Sequence, residues 1–193
     1  TACAIVENIA DEMAVSDFRP IAFELGFGGK DGQLPAITVT EGSTALSVRG
    51  KVDRVDGWIK DGKLYLRVVD YKTGQKAFDL SDVRYGLGIQ MLLYLFALQK
   101  EGSGYFGMPV VPAGVLYTPA REIISREDRS IPPEKLEAVL RRKLRRTGML
   151  LSEPEVLRAM EHSALEKPCY LPIGKVTDGQ PAALLPNLLV ATA

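Results

Sequence analysis

The stretch Gly50–Lys72, GKVDRVDGWIKDGKLYLRVVDYK, determines how this chain is expected to fold. An alternation of apolar and polar residues over Ala45–Trp58 is typical of a half-buried strand. Leu64–Lys72 predicts a second strand, in which every other side chain lies on the same face. Asp61 and Gly62 separate the two segments, and glycine accepts the positive φ that a tight turn requires. The stretch therefore predicts a β-hairpin.

Two aspartates and a lysine carry the chemistry of this hairpin. Pairing of the strands is expected to bring Asp53 near Asp70, and Lys72 shares a strand face with Asp70. Hard divalent cations such as Mg²⁺ prefer carboxylate and carbonyl oxygens, so Asp53, Asp70 and the backbone carbonyl of Tyr71 can hold one ion or help to hold two. Lys72 would orient an attacking water or neutralise developing charge. The pattern fits metal-dependent phosphodiester hydrolysis, although most D-x-K triplets are surface ion pairs on strands.

The segments around the hairpin predict an α/β fold. The order of hairpin, helix and strand is that of a βαβ crossover onto a mixed sheet. Before the hairpin we expect an amphipathic helix over 1–16, an extended segment over 21–27 and a short strand near 36–40. The extended segment should have Ile21, Phe23, Leu25 and Phe27 on one face. After the hairpin we expect a largely buried helix over Asp82–Lys100 capped by Asp79 or Ser81, a loop over Gly102–Gly107 and a strand centred on Val115–Tyr117.

Three polar residues outside the hairpin are further site candidates. Gln90 and Tyr94 interrupt the apolar centre of the long helix four residues apart, so they lie on one face. A buried amide and phenol need partners, so they either bond to each other and the backbone or face a wet cleft. Glu24 is either a third metal-site acid or an exposed carboxylate on a strand.

The C-terminal half is expected to be more basic and more helical. Proline in the first turn favours a helix over Pro132–Arg146, after an exposed charged segment over 121–129. A helix over Pro154–Leu165 and a strand-like segment over Cys169–Ile173 are expected to follow. The helix over Pro132–Arg146 has a basic face, which consists of Arg141, Arg142, Lys143, Arg145 and Arg146. This face either contacts DNA phosphates without sequence preference or is a solvated surface.

Length and composition favour one domain over 1–193, with a core over about 18–120 and a C-terminal extension over about 130–193. The chain has 193 residues, is 46% apolar and starts with Thr, so we expect a fragment of a longer protein.

The longest apolar run, Met91–Leu98, is too short to span a bilayer, which favours a protein without a membrane partner. Cys3 and Cys169 lie far apart without a C-x-x-C pattern, which favours buried free thiols in a reducing, cytoplasmic compartment.

Three linked motifs resemble the RecB-like branch of the PD-(D/E)XK nuclease superfamily. They are GKVDRVD at 50–56, VVDYKTG at 68–74 and QMLLY at 90–94. The resemblance implies a restriction-endonuclease-like mixed sheet flanked by helices. It also implies that Asp53 and Asp70 are metal ligands, that Lys72 is the catalytic lysine, and that Gln90 and Tyr94 assist DNA or the geometry of the site.

Two segments that flank these three motifs are similar to the C-terminal nuclease domain of AddB-type subunits of bacterial helicase-nucleases. They are FRPIAFELGFGG at 18–29 and GMLLSEPEVLRAME at 148–161. The similarity implies a Mg²⁺-dependent exonuclease, with Mn²⁺ able to substitute, that acts with a partner subunit on double-strand DNA ends for recombinational repair. The alternatives are a nuclease-like module that is inactive alone and binds DNA or docks a subunit, and a stand-alone RecB-like nuclease.

The chain departs from these relatives in two ways. They often supply a further His or Glu ligand from an upstream helix, whereas the only histidine here, His162, lies far downstream and is expected on a helix surface. AddB-type domains also resemble one another in four cysteines that bind an iron-sulfur cluster. Cys3 and Cys169 cannot form that set, so no cluster is expected in this fragment.

Overall fold

A computed structural model of the chain describes residues 2–29, 32–74, 85, 89–120, 132–173, 176–177 and 180–181. The fold consists of two compact units. The sheet unit contains Phe18–Asp70 and Phe78–Leu116, and the terminal unit contains Thr1–Asp17, Tyr71–Ala77 and Tyr117–Ala193. The sheet unit covers most of the expected core, and the single domain stays a prediction.

The protein is α/β, as predicted, with a mixed five-stranded sheet. Its strands are, in spatial order, Arg19–Phe27 (β1), Gly50–Lys60 (β4), Lys63–Lys72 (β5), Val110–Pro119 (β6) and Thr147–Leu150 (β7). The elements of the sheet unit, two of which continue into the terminal unit, are β1 (Arg19–Phe27), β2 (Ile37–Glu41), β3 (Thr44–Val48), β4 (Gly50–Lys60), β5 (Lys63–Lys72), α2 (Gln90–Phe106) and β6 (Val110–Pro119). Leu64 N–H donates to Pro109 O, and Ala120 N–H donates to Lys72 O, each at 2.8 Å. Since both numbers of the pair rise together, β6 runs parallel to β5. The βαβ crossover is confirmed.

The β4–β5 hairpin is the predicted one. Asp61 and Gly62 form its two-residue turn with φ of 49° and 71°. Two positive φ values in a row define the mirror-image turn whose twist matches that of the strands, and aspartate and glycine tolerate it best. The turn fixes the register from Lys60 opposite Lys63 to Arg54 opposite Val69.

The strand predicted over Ala45–Trp58 is two strands instead. Arg49 separates β3 from β4, and β3 pairs with β2 in a sheet of its own. The expected half-burial also fails in β3, because the Leu46 side chain is 61% exposed. The alternating pattern predicted extended backbone correctly, but it contained no signal for the change of sheet.

The side chains predicted to share one face of β1 differ in burial. Leu25 and Phe27 are buried, whereas Ile21 and Phe23 are exposed, Phe23 by 63%. Glu24 lies between the two pairs with a φ of 52°, and the register with β4 shifts between Pro20 and Ala22. The register shift interrupts the period of two at Ile21, whereas Phe23, Leu25 and Phe27 keep it opposite β4.

The loop predicted over Gly102–Gly107 belongs to α2. Gly102 is buried, and a Cβ there would lie 3.1 Å from Val110 Cγ2, so this glycine permits close packing inside the helix. The helix ends at Gly107, whose φ of 73° is the left-handed conformation common after helices. Residues 79 and 81, the predicted caps, lie outside the described residues.

The terminal unit contains α1 (Ala2–Ala14), α3 (Pro133–Leu144), β7 (Thr147–Leu150), α4 (Pro154–Met160), β8 (Val176–Thr177) and β9 (Gln180–Pro181). The helices agree with expectation, except that α4 ends five residues early. The charged segment predicted over 121–129 lies outside the described residues.

The strand expected over Cys169–Ile173 is absent. Glu161 accepts hydrogen bonds from the backbone N–H groups of Cys169, Tyr170 and Leu171 at 2.5, 3.1 and 3.1 Å. Because one carboxylate takes three consecutive donors, they are not available to a neighbouring strand. His162 lies in the turn after α4, rather than on a helix, and bonds to Asp17 at 3.0 Å.

Both cysteines are free, as predicted, but Cys3 is exposed rather than buried and Cys169 is half-buried. Within the described ranges, no helix has both the length and the apolar character needed to cross a bilayer.

Candidate functional site

Asp53 and Asp70 come together through the register of the hairpin. Arg54 pairs with Val69, so continuing the antiparallel register by one residue sets Asp53 opposite Asp70. Directly opposite residues project from the same face, with Cβ atoms roughly 4.5–5.5 Å apart. The two carboxylates therefore share one face at the end of the hairpin remote from its turn.

The donors at this end of the hairpin suit a hard divalent cation. Both aspartates are half-buried, and Oδ2 of Asp70 is buried from solvent. Among the described residues, no group of three or more His, Cys, Asp or Glu side chains is placed to hold a metal. Backbone oxygens and water commonly complete the coordination of Mg²⁺ beside one or two carboxylates.

Asp56, the second aspartate of the GKVDRVD motif, has a different environment. It is fully buried, and its two carboxylate oxygens lie 2.8 Å from Arg54 Nε and 2.8 Å from Arg67 Nε. By strand alternation, its side chain lies on the face opposite Asp53. The structure thus distinguishes the two aspartates: Asp53 is accessible from solvent, and Asp56 belongs to a buried ion network.

The sequence reasoning missed this network, although a signal for it was present. Asp56 and Arg67 lie the same number of residues from the Asp61-Gly62 turn, and a two-residue hairpin sets such positions opposite each other. An acid and a base at mirrored positions in an apolar hairpin therefore predict a buried cross-strand pair.

Lys72 is the last residue of β5, two positions beyond Asp70. Its side chain is half-buried, and Nζ lies 5.9 Å from the centre of the Tyr117 ring. This distance is within the range of a cation–π interaction. The backbone carbonyl of Lys72 accepts a hydrogen bond from the Ala120 N–H, which anchors the end of β5 to the segment after β6. Tyr71 is half-buried between Asp70 and Lys72.

Gln90 and Tyr94 form a pair at the start of α2. Gln90 Nε2 donates to Tyr94 Oη at 2.6 Å, so the two side chains bond to each other, but Gln90 is exposed rather than buried as predicted. The Tyr94 ring is buried and stacks on Phe27, with centroids 5.1 Å apart and planes 9° apart. Its hydroxyl lies against Gly50, at the beginning of the strand that carries Asp53.

Gly50→Ala should displace Tyr94, because the added Cβ would overlap the phenol oxygen and lie 2.7 Å from Cζ. We expect a destabilisation of about 1–3 kcal/mol, the usual cost of overpacking, measured by denaturant unfolding of the intact protein. Gly104→Ala in α2 is the matched control, since a Cβ there meets nothing within 4 Å. The control should be neutral or stabilising. Equal stability of the two variants would contradict the packing of Tyr94 on Gly50.

Glu24 lies opposite Asp53 when the register between Phe23–Arg54 and Leu25–Val52 is interpolated. Its carboxylate forms an ion pair with Lys51 Nζ at 2.9 Å, and the two side chains are 64% and 58% exposed. Glu24 would have to leave Lys51 to reach a metal at Asp53, and its role as a third ligand stays a prediction.

The basic residues at the end of α3 do not form one surface. Lys143 is exposed, but Arg145 is half-buried and donates to Pro168 O at 2.5 Å. The side chains of Arg141 and Arg142 lie outside the described residues.

Arg146 corrects the predicted DNA-binding face. It is buried, and its guanidinium bonds to Glu12 at 2.6 Å and to Asn8 at 2.8 Å. It also lies 5.0 Å from the centre of the Tyr170 ring, and burial raises the pKa of the Tyr170 hydroxyl. A guanidinium engaged in this way is not available to a phosphate.

The hairpin with its opposed carboxylates agrees with a comparison against known families. Residues 1–169 match the family model of the PD-(D/E)XK nuclease superfamily. This chain belongs to the PD-(D/E)XK nuclease superfamily. The mixed sheet and its βαβ crossover are the restriction-endonuclease-like fold expected of this superfamily.

Curated relatives of this PD-(D/E)XK domain share one name, which denotes the B subunit of an ATP-dependent helicase/deoxyribonuclease. The protein of Acetivibrio thermocellus is 37% identical over 172 residues, which are 89% of this chain and 15% of the relative. That of Bacillus subtilis is 37% identical over 163 residues, 83% of this chain and 14% of the relative. That of Clostridium acetobutylicum is 34% identical over 176 residues, 90% of this chain and 15% of the relative. The chain thus spans about a seventh of the length of these relatives.

Proposed function

We propose that this domain is the DNA-cleaving part of a helicase-nuclease and hydrolyses phosphodiester bonds with Mg²⁺, or with Mn²⁺ in its place. The main support for the proposal is the strand register, which sets Asp53 opposite Asp70 on one face of the hairpin. Lys72 follows Asp70 by two residues on the same strand. Membership of a nuclease superfamily and relatives named as helicase/deoxyribonuclease components support the same function.

Asp53, Asp70 and the carbonyl of Tyr71 would hold the metal in this proposal, with Glu24 joining them if it leaves Lys51. A bound divalent ion supplies a water of lowered pKa and offsets charge on the phosphate. Lys72 continues the face of Asp70 by strand alternation, so its ammonium would orient the attacking water or offset charge on a phosphate oxygen. Gln90 and Tyr94 would hold the β4 end through Gly50.

We extend the proposal to a cellular setting, which the relatives' names support by denoting one subunit of a helicase/deoxyribonuclease. A protein named as one subunit implies a partner, and a helicase would deliver single strands to this domain as an exonuclease during the repair of double-strand ends in the cytoplasm. Lys143 is an exposed cation that can contact the DNA backbone, and Arg141, Arg142 and Arg145 would join it only if their side chains face solvent.

Asp53→Asn should weaken metal binding by at least about tenfold, because an amide oxygen replaces a charged ligand with little change of shape. Binding of Mn²⁺ to the intact protein, followed by its electron paramagnetic resonance signal, measures this without DNA cleavage. Asp61→Asn is the matched control: it lies on the same hairpin, and asparagine tolerates its positive φ. If both variants bind Mn²⁺ as the unaltered protein does, Asp53 is not a ligand.

A further inference from the structure

The buried ions on the back of the hairpin have no part in the chemistry described so far. We call Arg54, Asp56 and Arg67 the arginine cluster. Arg54 Nε and Nη2 lie 2.8 and 3.1 Å from the Asp56 carboxylate, and Arg67 Nε lies 2.8 Å from its Oδ2. All three side chains are at most 1% exposed, and the Arg67 guanidinium lies 5.3 Å from the centre of the Phe18 ring. The cluster thus links β4, β5 and the residue before β1.

Stability alone is a weak reason for such a cluster. The free-energy penalty of removing three charges from water can equal or exceed their mutual electrostatic attraction. Replacing such a cluster by apolar residues of similar volume therefore often leaves the stability unchanged. The best-attested role of buried polar groups is to select one register or one pairing among several. The question is therefore which register this cluster selects.

The cluster lies directly behind the carboxylate pair. Asp56 and Arg67 are opposite each other, and Arg54 is opposite Val69 in the last hydrogen-bonded pair before Asp53 and Asp70. Seven paired positions separate the turn from that end of the hairpin. A slip or bulge of one residue anywhere among them would move one of the aspartates to the other face.

We propose that the arginine cluster is a positioning device that holds β4 and β5 in the register that sets Asp53 opposite Asp70. The proposal rests on the proposed function of these two carboxylates. Asp56 accepts from one guanidinium of its own strand and one of the facing strand, so a shift of either strand would break a buried ion pair. Asp56–Arg67 is the fifth and Arg54–Val69 the seventh pair counted from the turn, so the cluster lies in the half of the hairpin where the turn constrains the register least.

The test is a variant that removes the charges but retains the volume, Arg54→Met with Asp56→Leu and Arg67→Met. The intact protein should keep its thermal midpoint within a few degrees, because apolar replacement of a buried ion network is often neutral. Amide hydrogen exchange at 51–53 and 70–72 should nevertheless accelerate at least tenfold, and the Mg²⁺ concentration for half-maximal DNA cleavage should rise about 10–100-fold. Tyr65→Phe, near the turn of the same hairpin, is the control and should change neither.

A folded triple variant with unaltered exchange and unaltered Mg²⁺ dependence overturns the proposal. If that variant does not fold, Arg67→Lys keeps the charge but loses the forked geometry of the guanidinium. The same two shifts are expected there, and their absence likewise overturns the proposal. The exchange measurement involves no catalysis, so a protein that never cleaves DNA refutes the proposed function without deciding the role of the cluster.

Discussion

Asp70→Asn should reduce metal-dependent DNA hydrolysis by the intact protein by about 10³-fold or more. A metal ion contributes several kcal/mol of stabilisation to the transition state, and about 4 kcal/mol corresponds to three powers of ten in rate. Asp70 lies two residues before the end of β5, opposite Asp53, and one of its oxygens is buried. Asparagine has the same shape, so the loss reflects charge rather than packing.

The measurement is cleavage of single-stranded DNA labelled at either end, over a range of Mg²⁺ concentrations. DNA binding in the absence of metal should remain within about twofold of the unaltered protein, since Asp70 contributes no positive charge to phosphate contacts. Asp61→Asn, at the opposite end of the same hairpin, should cleave normally. Cleavage by Asp70→Asn within tenfold of the control would rule out Asp70 as a metal ligand.

The hairpin was predictable because local chemistry determines it. A two-residue Asp-Gly turn has few backbone solutions, and the turn fixes which residues face each other. The opposition of Asp53 and Asp70 follows from the turn alone, once both strands are recognised. The bond between Gln90 and Tyr94 was similarly open to prediction, because residues four apart are neighbours on one face of a helix.

Features that depend on distant contacts were not predictable. The Glu24 backbone is left-handed, and nothing in its local sequence requires a positive φ. Glycine is common just after the end of a helix, but Gly102 lies inside α2 and packs against Val110 of β6. Arg146 looked like one more cation on a basic face, and its partner Glu12 lies 134 residues away in the chain. At Gly102 and Arg146 a tertiary contact overrides the local pattern.

Asp56→Ala should be among the most destabilising single substitutions in the chain. The change leaves the guanidiniums of Arg54 and Arg67 buried without the carboxylate that lies 2.8 Å from each of them. Breaking one side of a buried ion pair costs about 3–5 kcal/mol, because the remaining charge stays in a medium that solvates it poorly. For a chain of this size, such a loss lowers the midpoint of thermal unfolding by roughly 10 °C.

Denaturant and thermal unfolding of the intact protein would measure this effect against a matched exposed pair. Lys51→Ala removes the ion pair with Glu24, which has a similar distance of 2.9 Å but is more than half exposed on both sides. Exposed pairs contribute about 0–1 kcal/mol, so the control should unfold almost as the unaltered protein does. Because the two pairs differ mainly in burial, equal losses would show that burial does not determine the cost. Asp56→Ala should lose much stability, whereas the apolar triple variant should not. That combination would show that leaving the two arginines unpaired is destabilising, although the intact cluster itself adds little to the stability.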